Sequence, residues 1–173
     1  MFMQITLEHT TKLHPRYFSK ELTGQLIAQF HFEVEGSCAP RIGCIICVKQ
    51  ILSIGSGVIQ RLEGYARHRI RYEAIVYRPI RGEVIDVKVT YITRLGIFAQ
   101  AGVMACFISQ YSIPLHYEFC GSAMPPCMKS KSDSSGILPN DKLRVRILGT
   151  RTNTKSIFAT ATLLEDFLGL LRN

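Results

Sequence analysis

Pro79-Ile80-Arg81-Gly82 divides the chain into two stretches whose apolar residues follow different rules. Before it, short β-like runs flank a segment of helical period; after it, the apolar runs are short and mostly alternate with polar residues. Proline fixes φ and glycine relieves steric restriction, so this segment suits the end of one folded unit and the start of another. With 173 residues in all, each half still buries a modest core. The sequence therefore predicts an α+β protein of two domains, residues 1–80 and 81–173.

In the first stretch, residues 2–8 (FMQITLE) read as a strand, and His14-Pro15 interrupts the chain. From Phe18 onward, Leu22, Leu26, Ile27 and Phe30 follow a helical period that Gly36 ends. Residues 42–54 and 69–78 are rich in β-formers, with Gly55 and Gly57 punctuating the link between them. In the second stretch, Ile85, Val87, Val89 and Tyr91 alternate with Asp86, Lys88 and Thr90, which predicts a half-buried strand. Residues 96–98, 105–108, 143–147 and 157–161 supply four more. Five short strands, with a long connection before the fourth, predict a five-stranded OB-fold β-barrel. The connection at 120–136, rich in Ser, Pro, Gly and Lys, reads as a mobile loop. Thr162 and Glu165 have capping-box spacing, which predicts a terminal helix over Leu163–Leu171.

A hydrophobic content of 47% and a charged content of 20% match an ordinary folded protein. The net charge of +8 calls for an anionic partner, with nucleic acid ahead of an acidic protein surface or an anionic membrane. Basic residues are spread over both halves, so any basic patch must be made by folding. No run approaches the roughly 18 apolar residues of a spanning helix, and the first residues lack a basic region followed by an apolar core. The expectation is an intracellular protein without a membrane partner, whose six cysteines are reduced thiols.

Cys44 and Cys47 form a C-x-x-C pair without a second pair to complete a tetrahedral site. On a regular strand, residues three apart face opposite sides, so packing is the expected role and no metal is predicted. His9, His14, His31, His68 and His116 show no ligand spacing, and Glu33 and Glu35 have no acid–base companion. A nucleophile elbow and a phosphate-binding glycine loop are likewise missing from the sequence. These features predict neither enzyme activity nor a cofactor.

Seven strings carry a further signal: LHPRYF at 13–18, FEVEGSC at 32–38, IGSGVIQ at 54–60, YEAIVYRPIRGEVIDVKVT at 72–90, MACFISQYSIP at 104–114, ILGTR at 147–151 and EDFLGLL at 165–171. In this order and spacing the chain resembles the stalk-subunit family of RNA polymerases, which has members in the archaeal enzyme and in polymerases I, II and III. MACFISQYSIP and EDFLGLL are most similar to the polymerase II version, the seventh-largest subunit. The resemblance implies an N-terminal truncated ribonucleoprotein-like domain that docks on the polymerase core, followed by a C-terminal OB barrel. It also implies a nuclear location, a heterodimer with the fourth-largest subunit, and contact with nascent single-stranded RNA.

Sequence-tolerant RNA binding needs aromatic faces for bases and cations for phosphates. Phe98, in a Gly-x-Phe turn, and Phe107, before Ile-Ser, lie where related RNA-binding barrels place stacking rings; filling the core is the alternative. Lys142, Arg144 and Arg146 recur at every second residue, and Arg151 and Lys155 follow, as either a phosphate track or a solvated strand face. Near Gly149-Thr150-Arg151 the chain departs from RNA-binding relatives that carry an acidic residue before a basic one. Arg67, Arg69 and Arg71 make a second alternating stripe, assigned to solvent or protein contact. Because the family docks through the tip of its first domain, the resemblance assigns the turns at Gly36 and Ser37, and at Gly55 and Gly57, to polymerase docking.

Overall fold

A computed structural model describes residues 1–19, 21–61, 63–121, 124–131 and 136–171. The chain forms two compact units, Met1–Arg78 and Pro79–Asn173.

The first unit contains β1 (Phe2–Leu13), α1 (Leu22–Val34), β2 (Cys38–Ala39), β3 (Gly43–Ile54), β4 (Val58–Ile59) and β5 (Ala66–Tyr77). β5 is the central strand, antiparallel to β1 on one side and to β3 and β4 on the other, with β2 beyond β3. Its even-numbered side chains, Ile70, Tyr72, Ala74 and Val76, pack under Leu26, Phe30 and Val34 of α1. The Phe30 and Tyr72 rings meet edge to face, 4.9 Å apart. The helix starts at Leu22 rather than Phe18; Pro15–Tyr17 forms a 3-10 turn that ends before it. This shift follows from Pro15, which starts a short turn with no donor of its own and leaves Phe18 in a non-helical conformation.

β3 has an unusual rhythm. Its register against β5 shifts between Ile45 and Cys47, Val48 and Gln50, and Ile51 and Ser53. Each shift loops out one residue, and the looped residues Ile46, Lys49 and Leu52 are exposed. Side chains facing the helix therefore recur every third residue, at Ile45, Val48, Ile51 and Ile54, instead of every second.

The bulges correct the reading of the C-x-x-C pair. Cys44 lies opposite Tyr77 and Cys47 opposite Ile75, so both fall on the face away from α1. Cys44 is not a reduced thiol: the short β2 strand sets Cys38 directly across from it, and the two form a disulfide. Cys47, Cys106 and Cys127 are free thiols.

The second unit contains β6 (Val84–Thr93), β7 (Gly96–Ala101), β8 (Met104–Ser109), β9 (Tyr117–Cys120), β10 (Cys127–Ser130), β11 (Gly136–Ile137), β12 (Lys142–Thr152), β13 (Ile157–Thr162) and β14 (Gly169–Leu170). Strands β13, β8, β7, β6 and β12 pair in that order, and β12 also pairs with β13, closing a five-stranded barrel. The β8–β13 pairing is parallel and the others are antiparallel, giving the mixed barrel of OB type that the strand count predicted. Val87, Val89, Ile97, Met104, Ile108, Leu143, Val145, Ile147 and Ile157 are buried in its core.

Two expectations for this unit change. The 120–136 segment is not loop throughout: Cys127–Ser130 forms β10, which pairs with β9 and β11 in a three-stranded sheet with Cys127, Met128 and Ile137 buried. Residues 122, 123 and 132–135 of that segment lie outside the described residues. Nor is Leu163–Leu171 a helix. Leu170 and Gly169 pair with Leu143 and Arg144 of β12, and the Leu171 N–H donates to the Lys142 carbonyl at 3.0 Å. Glu165 is drawn into an ion pair with Arg146, so the capping box never closes. A segment this short gains more from an exposed strand edge than from an isolated helix.

Phe30 is fully buried, so Phe30→Ala is expected to destabilise the first unit by roughly 3–5 kcal/mol. Chemical denaturation combined with hydrogen exchange should show the loss in the β1 and β5 amides.

Candidate functional site

The barrel exterior of the second unit can be read row by row from its strand register. One row runs Tyr91, Phe98, Phe107, Thr160, Gly149 through directly paired residues of β6, β7, β8, β13 and β12. The next runs Lys142, Lys88, Gln100, Ala105, Phe158, Arg151 and returns to β12. Paired residues share a face, so each row is a band of outward side chains. Phe98 and Phe107 are therefore surface rings rather than core filling.

The aromatic row is continuous. Tyr91 and Phe98 stack with centroids 4.3 Å apart and planes 17° from parallel, and Phe98 meets Phe107 at 4.7 Å. Phe158 adds a fourth ring from the adjacent row and is 47% exposed. These four rings, with Gln100, Arg151 and small residues, line an open groove of about 720 Å³. No carboxylate lines it among the described residues.

The alternation along β6 predicts that Tyr91 points inward with Val87 and Val89. A register shift between Val89 and Tyr91 reverses the faces: Ile92 turns into the core and Tyr91 turns out, 52% exposed. The Thr90 hydroxyl donates to the Phe98 carbonyl at 2.9 Å within this bulge. Phe158 and Lys88 are also absent from the predicted set. The alternation of Phe158 with buried Ile157 and Ala159 carries the signal for the ring, and that of Lys88 with Val87 and Val89 the signal for the cation.

The predicted cations divide into two groups. Lys142 and Arg151 stand at opposite ends of the second row, and Lys155 lies in the exposed turn after β12. None of these three makes an ion pair among the described residues. Arg144, by contrast, forms two hydrogen bonds to Asp86, at 2.8 and 3.1 Å. The Arg144 guanidinium holds the Asp86 carboxyl below the usual range, with a further contribution from Lys142. Arg146 is paired with Glu165. Neither arginine lines the groove.

The four residues assigned to docking are not brought together. Gly36 has φ +77°, a conformation costly for residues with a Cβ, and its N–H donates to the Ile45 carbonyl near the start of β3. The Ser37 hydroxyl donates to the Val34 carbonyl at 2.6 Å. Gly55 and Gly57 follow the other end of the 12-residue β3, so roughly 30 Å of strand separates the two turns. There the Gly55 N–H donates to the Arg69 carbonyl at 2.7 Å, and the buried His68 ring lies 3.2 Å from the Gly55 carbonyl. A Cβ on Gly57 would stand 2.7 Å from that ring. This end also carries exposed Val58 and Ile59, which no sequence pattern singles out.

Comparison with known proteins accounts for both units. Residues 8–66 match the SHS2 domain found in the N terminus of Rpb7p/Rpc25p/MJ0397. Over 173 residues the chain is 36% identical to DNA-directed RNA polymerase II subunit RPB7 of Glycine max, covering 100% of this chain and 98% of the relative. The chain belongs to the RPB7 family. The Dictyostelium discoideum member is 36% identical over 171 residues, 99% of each chain. The polymerase III subunit rpc8 of Schizosaccharomyces pombe is 30% identical over 97 residues, 56% of this chain and 48% of the relative. Full-length similarity thus lies with the polymerase II members, in agreement with the resemblance carried by the seven strings.

Cys106 lines the groove wall from beneath, and burial pushes its thiol up to about 12. At about pH 8, iodoacetamide is expected to modify partly exposed Cys47 and to spare Cys106 until the barrel unfolds. Peptide mass mapping before and after denaturation checks this order.

Proposed function

We propose that this chain is the non-catalytic stalk subunit of nuclear RNA polymerase II, pairing with the fourth-largest subunit, docking on the core and guiding single-stranded RNA along its barrel. The observation that carries the RNA assignment is the four-ring groove, which among the described residues has no carboxylate in its lining and holds Arg151 without an ion-pair partner. Stacked rings accept any base, and flanking cations accept the phosphate present at every nucleotide, so the groove suits emerging RNA of any sequence. Binding of this kind needs no bond-making group, which is consistent with a subunit that lacks an active site of its own.

The two sets of cations then differ in weight. Arg151 and Lys142 have no ion-pair partner among the described residues and can meet phosphate, and Lys155 extends the track into the turn after β12. Arg144 and Arg146 have carboxylate partners, so they contribute less, even though they share a strand with Lys142. We assign docking chiefly to the end of the first unit that carries Gly55, Gly57, Val58 and Ile59. Gly36 and Ser37, at the far end of β3, would serve a separate contact.

Filter binding of a poly(U) oligonucleotide tests the barrel. Phe98→Ala and Phe158→Ala are each expected to cost about 1–3 kcal/mol of binding, Arg151→Ala to weaken binding and flatten its salt dependence, and Arg144→Ala to have a smaller effect than Arg151→Ala. Equal binding by all variants would exclude the groove. For docking, Gly57→Trp must displace His68 and the turn pinned on it, and is expected to lower recovery of the polymerase core with the tagged full-length chain at least several-fold. Recovery without any polymerase subunit, even for the unaltered chain, would favour a free OB-fold RNA-binding protein.

A further inference from the structure

The face of the first unit's sheet turned away from α1 carries three arginines that have no ion-pair partner among the described residues. Arg67, Arg69 and Arg71 project from β5 on this face and are exposed. Opposite them on β1 stand Lys12, Thr10 and Glu8. None of the three arginines makes an ion pair among the described residues, and Lys12 is paired with Glu63 at 3.6 Å. Because β5 is the central strand, their spacing is held by pairing on both sides: roughly 7 Å from one guanidinium root to the next.

The surroundings of the stripe decide between anions. Its rows hold Lys12, Arg67 and Val58, then Thr10 and Arg69, then Glu8, Arg71 and Ser53, with no aromatic ring on which a base could stack. The stripe ends in carboxylates: Glu8 faces Arg71, and Glu73 follows it, held by Gln4 at 2.8 Å and Gln50 at 3.1 Å. A uniformly charged phosphate backbone would meet repulsion there. Val58, 64% exposed, sits beside Arg67, and Ile59, 63% exposed, follows it. Arginine next to exposed aliphatic side chains is the composition of a protein interface.

We propose that this face receives an acidic segment of a neighbouring polymerase subunit, whose carboxylates, about 7 Å apart, pair with Arg67, Arg69 and Arg71 while an apolar residue covers Val58. The proposal rests on the docking assignment above and names the chemistry of the surface met there. Arginine suits this role because its planar fork binds a carboxylate through two parallel hydrogen bonds.

The test measures binding of the full-length chain to polymerase core stripped of this subunit, with poly(U) as a second ligand. The triple variant R67E/R69E/R71E is expected to bind core at least about 10-fold more weakly, with poly(U) binding unchanged. The variant R67K/R69K/R71K, which keeps charge but loses the fork, should recover part of the loss. If Gly57→Trp weakens core binding and the glutamate triple does not, docking stands and the acidic-segment proposal fails. If poly(U) binding falls and core binding holds, the face belongs to RNA and the proposal is overturned. If neither Gly57→Trp nor the glutamate triple changes core binding, the docking assignment fails and takes the proposal with it.

Discussion

Closure of the second unit through the β12–β13 pairing is the constraint on which its surface chemistry depends. A strand ribbon left open would leave Arg151, on β12, at one edge of the sheet and Phe158, on β13, at the other. Once β12 pairs with β6 through its first half and with β13 through its second, both residues fall in one circumferential row. Phe158, Phe107, Phe98 and Tyr91 come from four successively paired strands and are neighbours through those pairings. The rigidity of a closed barrel then holds the rings at fixed spacing without a ligand, so little ordering cost remains for binding.

The first unit works from a different constraint. Its central strand β5 keeps a strict two-residue period, buried on one side and exposed on the other for most of its length. β3 matches that period through three bulges, each of which extrudes one residue to solvent. The helix α1 covers the apolar face and leaves the other face free to carry arginines. The same arrangement sets the turn at Gly36 and Ser37 and the turn at Gly55 and Gly57 at opposite ends of β3.

Electrostatic pairing refines the picture. Five cations follow one another along β12 and the turn after it, yet Asp86 and Glu165 engage Arg144 and Arg146. Such exposed pairs contribute little stability, but they change the local field: of the cations left without an ion pair among the described residues, Arg151 lines the aromatic groove. The Arg146–Glu165 pair also holds the C-terminal segment against β12, where β14 adds a short strand to the edge.

The sequence by itself determined the α+β class, the alternating strands of the barrel and the family, because binary patterning and motif order are properties of the chain alone. Phe98, Phe107 and Arg151, which line the barrel groove, were legible as candidates from the chain alone. Only the tertiary structure decided the outward turn of Tyr91, the shared face of Cys44 and Cys47, the pairing of Cys38 with Cys44, and the strand in place of a terminal helix. Each of these depends on a bulge, a cross-strand neighbour or an available sheet edge. A bulge adds one residue to one strand against its partner, so its effect on facing exists only once the two strands are paired.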